Sequence, residues 1–415
     1  MIPARPKTSL AVALATILAA LAGCGAAATK PVEPSPGPPT RIAGATHAGE
    51  ELALALLRRL GQAGGNVVFS PYGIESAIAM LSQGARGATA AEIARVLHTR
   101  DPAGVGAGVA ATDAQLTAAA RAPNAPRLHL ASGLWVQSGL RLRTPFMRTL
   151  ATLFGAPPQV VDFSHRAESA RHRINAWIAA RTGHLIADLF PAGTITNRTA
   201  AVLANAVYLA AHWAHPFTRA LTVPGPFYPT AEPVVKVPFM TQTPIELAYA
   251  RGPGYRAVDL PYRGSTLSML LVMPAPGTLA RFEQGLSGGA LDRLARELRP
   301  TRVDLHLPRF ELTFDTALNE ALSALGMPLA FSDGADFSGI TSETRLTISA
   351  VEHAATLKVD EAGTVAAAAT GIALEPSSAT TEPATLLTLD HPFLAFLRDS
   401  ATGAILFAAQ VANPA

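Results

Sequence analysis

The stretch Leu357–Thr381, LKVDEAGTVAAAATGIALEPSSATT, constrains the fold of this chain more than any other. It begins apolar and strand-like and runs to Asp360-Glu361. Ala362-Gly363-Thr364-Val365, then Ala366, Ala367, Ala368 and Ala369, then Thr370-Gly371 form a run dominated by small side chains. After it, Glu375–Pro383 is polar and turn-prone. A flexible linker is one reading, but linkers favour polar residues and rarely follow a buried-looking strand with uninterrupted alanines. An alanine helix is a second, weakened by Thr364, Val365 and Gly371. A third accounts for the composition best: a segment exposed in one state and buried between two strands in another. Thr364, Ala366, Ala368 and Thr370 alternate and so share one face of a strand. None is charged or bulky, and an unpaired charge on that face would cost several kcal/mol.

Of the 415 residues 49% are hydrophobic and 15% charged, which is enough apolar material for a large core and too little charge for a disordered chain. At the start, Arg5 and Lys7 precede an apolar stretch, Leu10–Leu21, that is too short for an ordinary membrane span and suits a secretory signal. Leu21-Ala22-Gly23-Cys24 resembles the lipobox of bacterial lipoproteins, in which the chain is cut before the cysteine and its sulfur carries diacylglycerol. An ordinary signal peptide with a stray cysteine, or an uncleaved anchor, are the alternatives. Cys24 is the only cysteine and sits where the apolar stretch ends. The expectation is export, with lipid anchoring to the outer face of a bacterial membrane. No thiol then remains for a disulfide, a zinc site or a nucleophile. Removing Arg5 and Lys7, with no acidic residue lost, takes the net charge from +3 to +1, which argues against a general nucleic-acid binder. Arg293, Arg296, Arg299 and Arg302 form a local basic cluster. It reads as a solvated helix face and its exit, with an anionic-cofactor site as the alternative; no cofactor is otherwise expected.

Residues 1–23 are thus a signal, 24–45 a Pro/Ala/Gly-rich tether whose proline density prevents helix and central strand, and 46–415 one folded domain. Periodicity and glycine stops predict helices over Glu50–Leu60, Ile74–Leu81, Ala90–Leu97, Ser169–Ala180 and Ala317–Leu325. Pro102–Ala122 includes another, but its Gly104-Val105-Gly106-Ala107-Gly108 run reads as a loop, without the preceding strand that a phosphate site needs. Strands are predicted over Leu128–Gln137, Val202–Ala211, Val235–Met240, Ala257–Leu260, Leu267–Met273, Val303–Leu307, Phe310–Phe314 and beyond Leu346. Helices come early and strands late, an α+β pattern. There is no G-x-S-x-G elbow, H-E-x-x-H pair, Walker loop or dinucleotide fingerprint, and the eleven histidines are scattered. No metal site and no enzyme activity are expected.

The alanine-rich stretch resembles the reactive-loop hinge of the serpins, and the resemblance extends over roughly residues 47–415. Asn66–Pro71, Ala79-Met80-Leu81 and Gly84–Gly87 resemble the family's N-terminal pattern. Ile174–Trp177, Thr182-Gly183, Ile186–Leu189, Asn205–Leu209 and Trp213 resemble the central one. Val237–Met240, Leu260-Pro261-Tyr262, Leu305–Phe310, His391–Leu394, Gly403–Phe407 and Asn413-Pro414 follow in order.

The resemblance implies three β-sheets, eight to nine helices, a reactive loop at about 361–385 standing above the molecule, and a monomer. It implies a suicide inhibitor of serine proteases, with cysteine proteases as a second class: cleavage frees the loop, which inserts as a new strand of the main sheet. A non-inhibitory serpin acting as a binding or chaperone-like module is the alternative; a surface enzyme on another fold is the third. Carried over by position, Glu361 starts the hinge and pairs with Arg309. Gly363 and Thr364 begin insertion, and Ala366–Ala369 and Thr370 continue it. Ser70, Asn205 and His353 form the polar cluster beneath the sheet, and Trp213 stands where insertion begins. Counting forward from Glu361 puts the scissile bond at Ser377-Ser378; counting back from His391 puts it near Thr381. Small residues there suit elastase- or subtilisin-like proteases, and no Arg or Lys lies between Lys358 and Arg398 to suit trypsin-like ones. Gly73 replaces a serine of the polar cluster, which predicts a thinner network. Ala354 replaces a lysine, Val365 a hinge glutamate, and Ala408-Ala409 a residue-glycine pair.

Overall fold

The computed structural model describes residues 45–122, 125–230, 232–364 and 383–415. Among them the helices are α1 (Ala45–Leu60), α2 (Pro71–Ser82), α3 (Gly87–Val96), α4 (Pro102–Ala119), α5 (Thr144–Phe154), α6 (Phe163–Arg181), α7 (Leu279–Gly285), α8 (Ala290–Glu297) and α9 (Asn319–Leu325). The early strands are β1 (Val67–Phe69), β2 (Arg127–Gln137), β3 (Gln159–Val161), β4 (Ala201–His212) and β5 (Val223–Phe227). Then come β6 (Val235–Gly252), β7 (Tyr255–Pro261), β8 (Leu267–Pro274), β9 (Arg299–Pro308) and β10 (Phe310–Ala317). The last are β11 (Ala350–Val359), β12 (Gly363–Thr364), β13 (Thr385–Thr388), β14 (Phe393–Asp399) and β15 (Ile405–Val411).

The strands form a six-stranded sheet in the order β10-β11-β12-β4-β2-β3 and a nine-stranded sheet. Two of the three expected sheets are joined in the latter. The long strand β6 carries a register shift between Gln242 and Ile245 and pairs with β9 on both sides of it, so hydrogen bonding runs on through the bend.

One face of the six-stranded sheet is covered by α6. Its Phe163, Ile174 and Ile178 pack on Val202, Ala204, Ala206, Ala350 and Ala354, the even-numbered positions of β4 and β11. The odd-numbered positions point the other way. Leu203 and Val351 enter the core shared with α1 and α2. Val207, Leu209, Leu357 and Val359 enter the core shared with the nine-stranded sheet. Burial on both faces explains why these strands read as nearly continuous apolar runs. Ala354, in place of the family's lysine, fits this burial: it is 2% exposed beneath α6.

The loop reading of Gly104–Gly108 is overturned, since these residues lie inside α4. Asp101 caps that helix, its Oδ1 accepting the Gly104 N–H at 3.0 Å, and Pro102 occupies the first turn. A cap followed by proline starts the helix strongly enough to offset the ~1 kcal/mol penalty of each glycine.

Candidate functional site

The order of the six-stranded sheet holds the site. At its lower end β4 and β11 pair directly and in parallel, from Ala350 with Val202 to Ala355 with Val207. At its upper end they are separated by β12. Thr364 pairs with Val359 on one side and Ala211 on the other, and Gly363 pairs with His212. Between these levels, Thr356–Lys358 and Tyr208–Ala210 have no ladder partner across the gap among the described residues. The sheet therefore contains a slot with the first two residues of a strand already seated in its mouth. The expectation that Gly363 and Thr364 stand outside the sheet is corrected: both are buried, Thr364 being 1% exposed.

A short turn feeds this strand. Asp360 Oδ1 accepts the Ala362 and Gly363 N–H groups at 2.9 and 3.2 Å, and the Asp360 N–H donates to Gly363 O at 2.9 Å. A side chain on Gly363 would place its Cβ 1.9 Å from Ala211 O, so only glycine lets the chain pass β4 at this level. Glu361, 5% exposed, bonds through Oε1 to Arg309, which sits between β9 and β10, and accepts from Thr222 Oγ1 at 2.7 Å. Burial pushes its carboxyl up, and the bonds from Arg309 and Thr222 outweigh that, holding it below the usual carboxylate range.

Trp213 and Tyr262 form the wall. Their rings stack at 4.5 Å between centroids and 15° between planes. Trp213 Nε1 donates to Asp360 O at 3.0 Å, and its backbone N–H to Ala362 O at 2.9 Å. Tyr262 meets Thr364 Oγ1 at 2.5 Å through its hydroxyl. Sequence reasoning singled out Trp213 but gave Tyr262, Thr222 and Asp360 no role. Tyr262 follows Leu260-Pro261 on a separate sheet, and only the tertiary fold brings it under Thr364.

Deeper in the slot, Ser70, Asn205 and His353 come together. His353 Nε2 accepts the Ser70 backbone N–H at 2.9 Å, while Nδ1 lies 3.0 Å from Asn205 Oδ1. The two partners fix the tautomer: Nε2 is the acceptor and Nδ1–H the donor. Burial pushes the imidazole pKa down to about 3, so the ring is neutral at physiological pH. Ser70 also caps α2, its Oγ accepting the Gly73 N–H at 3.0 Å ahead of Pro71. The serine absent at position 73 has a steric explanation, because a Cβ there would lie 2.2 Å from Asn205 Oδ1. The network is rebuilt from β2, where Ser132 Oγ accepts from Asn205 Nδ2 at 2.9 Å. The His353–Asn205 bond thus ties β11 to β4 across the closed part of the slot.

A second polar clamp holds the cover over the sheet. Arg171 on α6, only 8% exposed in its side chain, binds Asp188 at 2.9 Å and Phe190 O at 2.8 Å through Nη1, and Glu168 at 2.9 Å through Nε. Asn175 bonds the same turn, accepting the Phe190 N–H at 2.9 Å. It is what fixes the segment after α6 to its helix.

Cys24, Val365, Ala366–Thr370, Ser377, Ser378 and Thr381 lie outside the described residues. Among the described ones there is no cluster of three or more His, Cys, Asp or Glu placed to hold a metal, and no helix long and apolar enough to cross a membrane. Arg299 donates Nη1 to the carbonyls of Arg296 and Leu298, and Arg293 to Gly288 O. Part of the basic cluster therefore closes the end of α8.

The family profile described as serpin (serine protease inhibitor) matches residues 47–414. The bovine leukocyte elastase inhibitor is 34% identical over 363 residues, spanning 84% of this chain and 93% of its own. A serpin-like protein of Thermococcus kodakarensis is 34% identical over 368 residues, spanning 86% and 83%. Among solved structures, cleaved Serpin 42Da superposes with a TM-score of 0.77 at 30% identity, covering 89% of this chain and 98% of that one. Thyroxine-binding globulin in complex with thyroxine superposes at 0.79 and 26%, covering 89% and 99%. An α+β fold with a slotted sheet, a hinge seated at its mouth and a profile match over nearly the whole folded domain lead to one conclusion: the chain belongs to the serpin family.

Proposed function

We propose that this serpin inhibits serine proteases as a suicide substrate, its cleaved loop inserting between β4 and β11. The observation that carries the reading is the seating of Thr364 between Ala211 and Val359 at the mouth of a slot whose lower part is closed by direct pairing of β4 with β11. Continuing that antiparallel register one residue at a time puts Thr364, Ala366, Ala368 and Thr370 on the core face. It brings Thr370 level with both Asn205 and His353. Insertion then breaks the Asn205–His353 bond, and a hydroxyl arrives at that level to replace a partner. Without a replacement, each buried polar group left unpaired would cost about 1–3 kcal/mol. Backbone pairing along both slot edges drives the step.

The name of the bovine relative, leukocyte elastase inhibitor, and the small residues at Ser377-Ser378 support elastase- or subtilisin-like targets. Export with a lipid on Cys24, and action as a monomer at the outer face of a bacterial membrane, belong to the same proposal and rest on the N-terminal sequence. The likeness to thyroxine-binding globulin favours a second reading, a serpin that carries a ligand without inhibiting. Incubation with elastase and subtilisin separates the two. An SDS-resistant complex with release of a C-terminal fragment beginning at Ser378 supports inhibition; complete loop cleavage with no complex supports the second reading.

A further inference from the structure

Away from the slot, a cavity of about 20 Å³ lies between α1 at Gly49, α2 at Tyr72 and Glu75, α4 at Gly108 and Thr112, and the turn at residues 402–405. That is room for one occupant the size of a water molecule. Glu75 lines it and is 7% exposed. Its carboxyl has no hydrogen-bond or ion-pair partner among the described residues, yet neither oxygen is sealed from solvent. Space for the carboxyl comes from Gly49: a methyl group there would lie 2.8 Å from Glu75 Oε2. Thr112, buried as deeply, lines the same cavity, and its hydroxyl has no described partner either.

Charge around the cavity is one-sided. The Tyr72 hydroxyl lies 2.8 Å from Asp113 Oδ1 and 3.0 Å from Val109 O. Burial, then Asp113, then Glu75 push this phenol up, so two carboxyls stand close to one ring. No described Arg, Lys or His pairs with either of them. An ionised, buried carboxylate without a counter-charge is costly, and a cation beside it removes that cost. Asp113 is engaged by Tyr72 and does not line the cavity, which leaves one carboxylate to face an occupant. A divalent ion would be left undercompensated there, since hard divalent cations gather several charged oxygens. Potassium and ammonium carry one charge and are close to water in size. We propose that this cavity binds one monovalent cation, potassium or ammonium, held by the Glu75 carboxylate with the Thr112 hydroxyl beside it. Burial raises the Glu75 carboxyl to about 8, so the cation competes with a proton and binding strengthens as pH rises to that value. None of these residues belongs to the hinge or the polar cluster, so failure of this site leaves the inhibitory reading intact.

The test compares the full protein in potassium, ammonium and tetramethylammonium chloride at equal ionic strength and about pH 8.5. Potassium or ammonium gives a saturable rise in melting temperature, and tetramethylammonium, too large for the cavity, gives none. The lower half-saturating concentration tells which of the two the site prefers. Binding near pH 8 also releases a proton, read as saturable acidification of a weakly buffered solution, and affinity falls about tenfold per pH unit below that. Glu75→Gln abolishes both responses. Thr112→Val leaves the carboxyl in place and weakens binding, which keeps the test decisive should Glu75→Gln fail to fold. The same melting temperature in all three salts, or a response unchanged in either variant, overturns the assignment.

Discussion

Thr364→Arg is the perturbation for which the structure gives the clearest outcome. Thr364 is 1% exposed, its hydroxyl 2.5 Å from that of Tyr262 and its backbone paired on both sides. The wall beside it is the Trp213–Tyr262 stack, and the core below it is apolar. An arginine seated there would bury an unpaired charge at a cost of several kcal/mol. Taking about 3 kcal/mol as the increment on the insertion barrier, insertion slows by roughly two orders of magnitude. The acyl-enzyme then hydrolyses before the loop is drawn in, and the inhibitor becomes a substrate. The assay is the partition of the variant between an SDS-resistant complex and free clipped chain after incubation with elastase, read by gel and by the stoichiometry of inhibition. The complex should fall to a small minority, while Thr364→Ser, which keeps a small hydroxyl, retains it. The intact arginine variant should melt no lower than wild type, because expelling Thr364 lets the upper ends of β4 and β11 close. Full complex formation by a folded Thr364→Arg variant would refute the reasoning.

Asn205→Ala removes the acceptor for His353 Nδ1–H and the donor to Ser132, and should lower stability by about 2–3 kcal/mol, measured by urea unfolding of the intact protein. Glu75, on α2, is buried, and burial raises its pKa to about 8. The folded state therefore keeps a proton that the unfolded chain releases near 4.5, so stability falls as pH rises from that value and the loss is complete above about 8. Glu75→Gln should flatten the melting temperature between those limits and stabilise the alkaline side; an unchanged profile would contradict it. Arg171→Ala should raise hydrogen exchange in residues 186–190, since it leaves Asp188 and Phe190 O only the Asn175 amide as a partner.

Much of the slot was legible because its requirements are local. Small residues at alternate positions after a strand carry their reason in the sequence, whereas the helix start at Ser70-Pro71, four residues ahead of the helix expected from Ile74, was seen only in the structure. The seating of Gly363 and Thr364 was not legible. It depends on β4 and β11 parting above the Ala355–Val207 pair, a long-range feature of the sheet that the sequence of the hinge does not report. Ser132 and Tyr262 were missed for a related reason: Ser132 lies within β2 and Tyr262 just past the end of β7, and the partner of each comes from distant sequence. The glycines of α4 misled because composition argues against helix, while the start signal from Asp101 and Pro102 prevailed.

The most direct measurement is the melting temperature of the chain before and after a single nick in the loop. If the freed segment becomes an added strand of the six-stranded sheet, new pairing forms along both edges of the slot and the nicked protein melts far higher than the intact one. A nicked protein that melts at or below the intact temperature would mean that the slot does not fill, and the trapping mechanism would have no source of free energy.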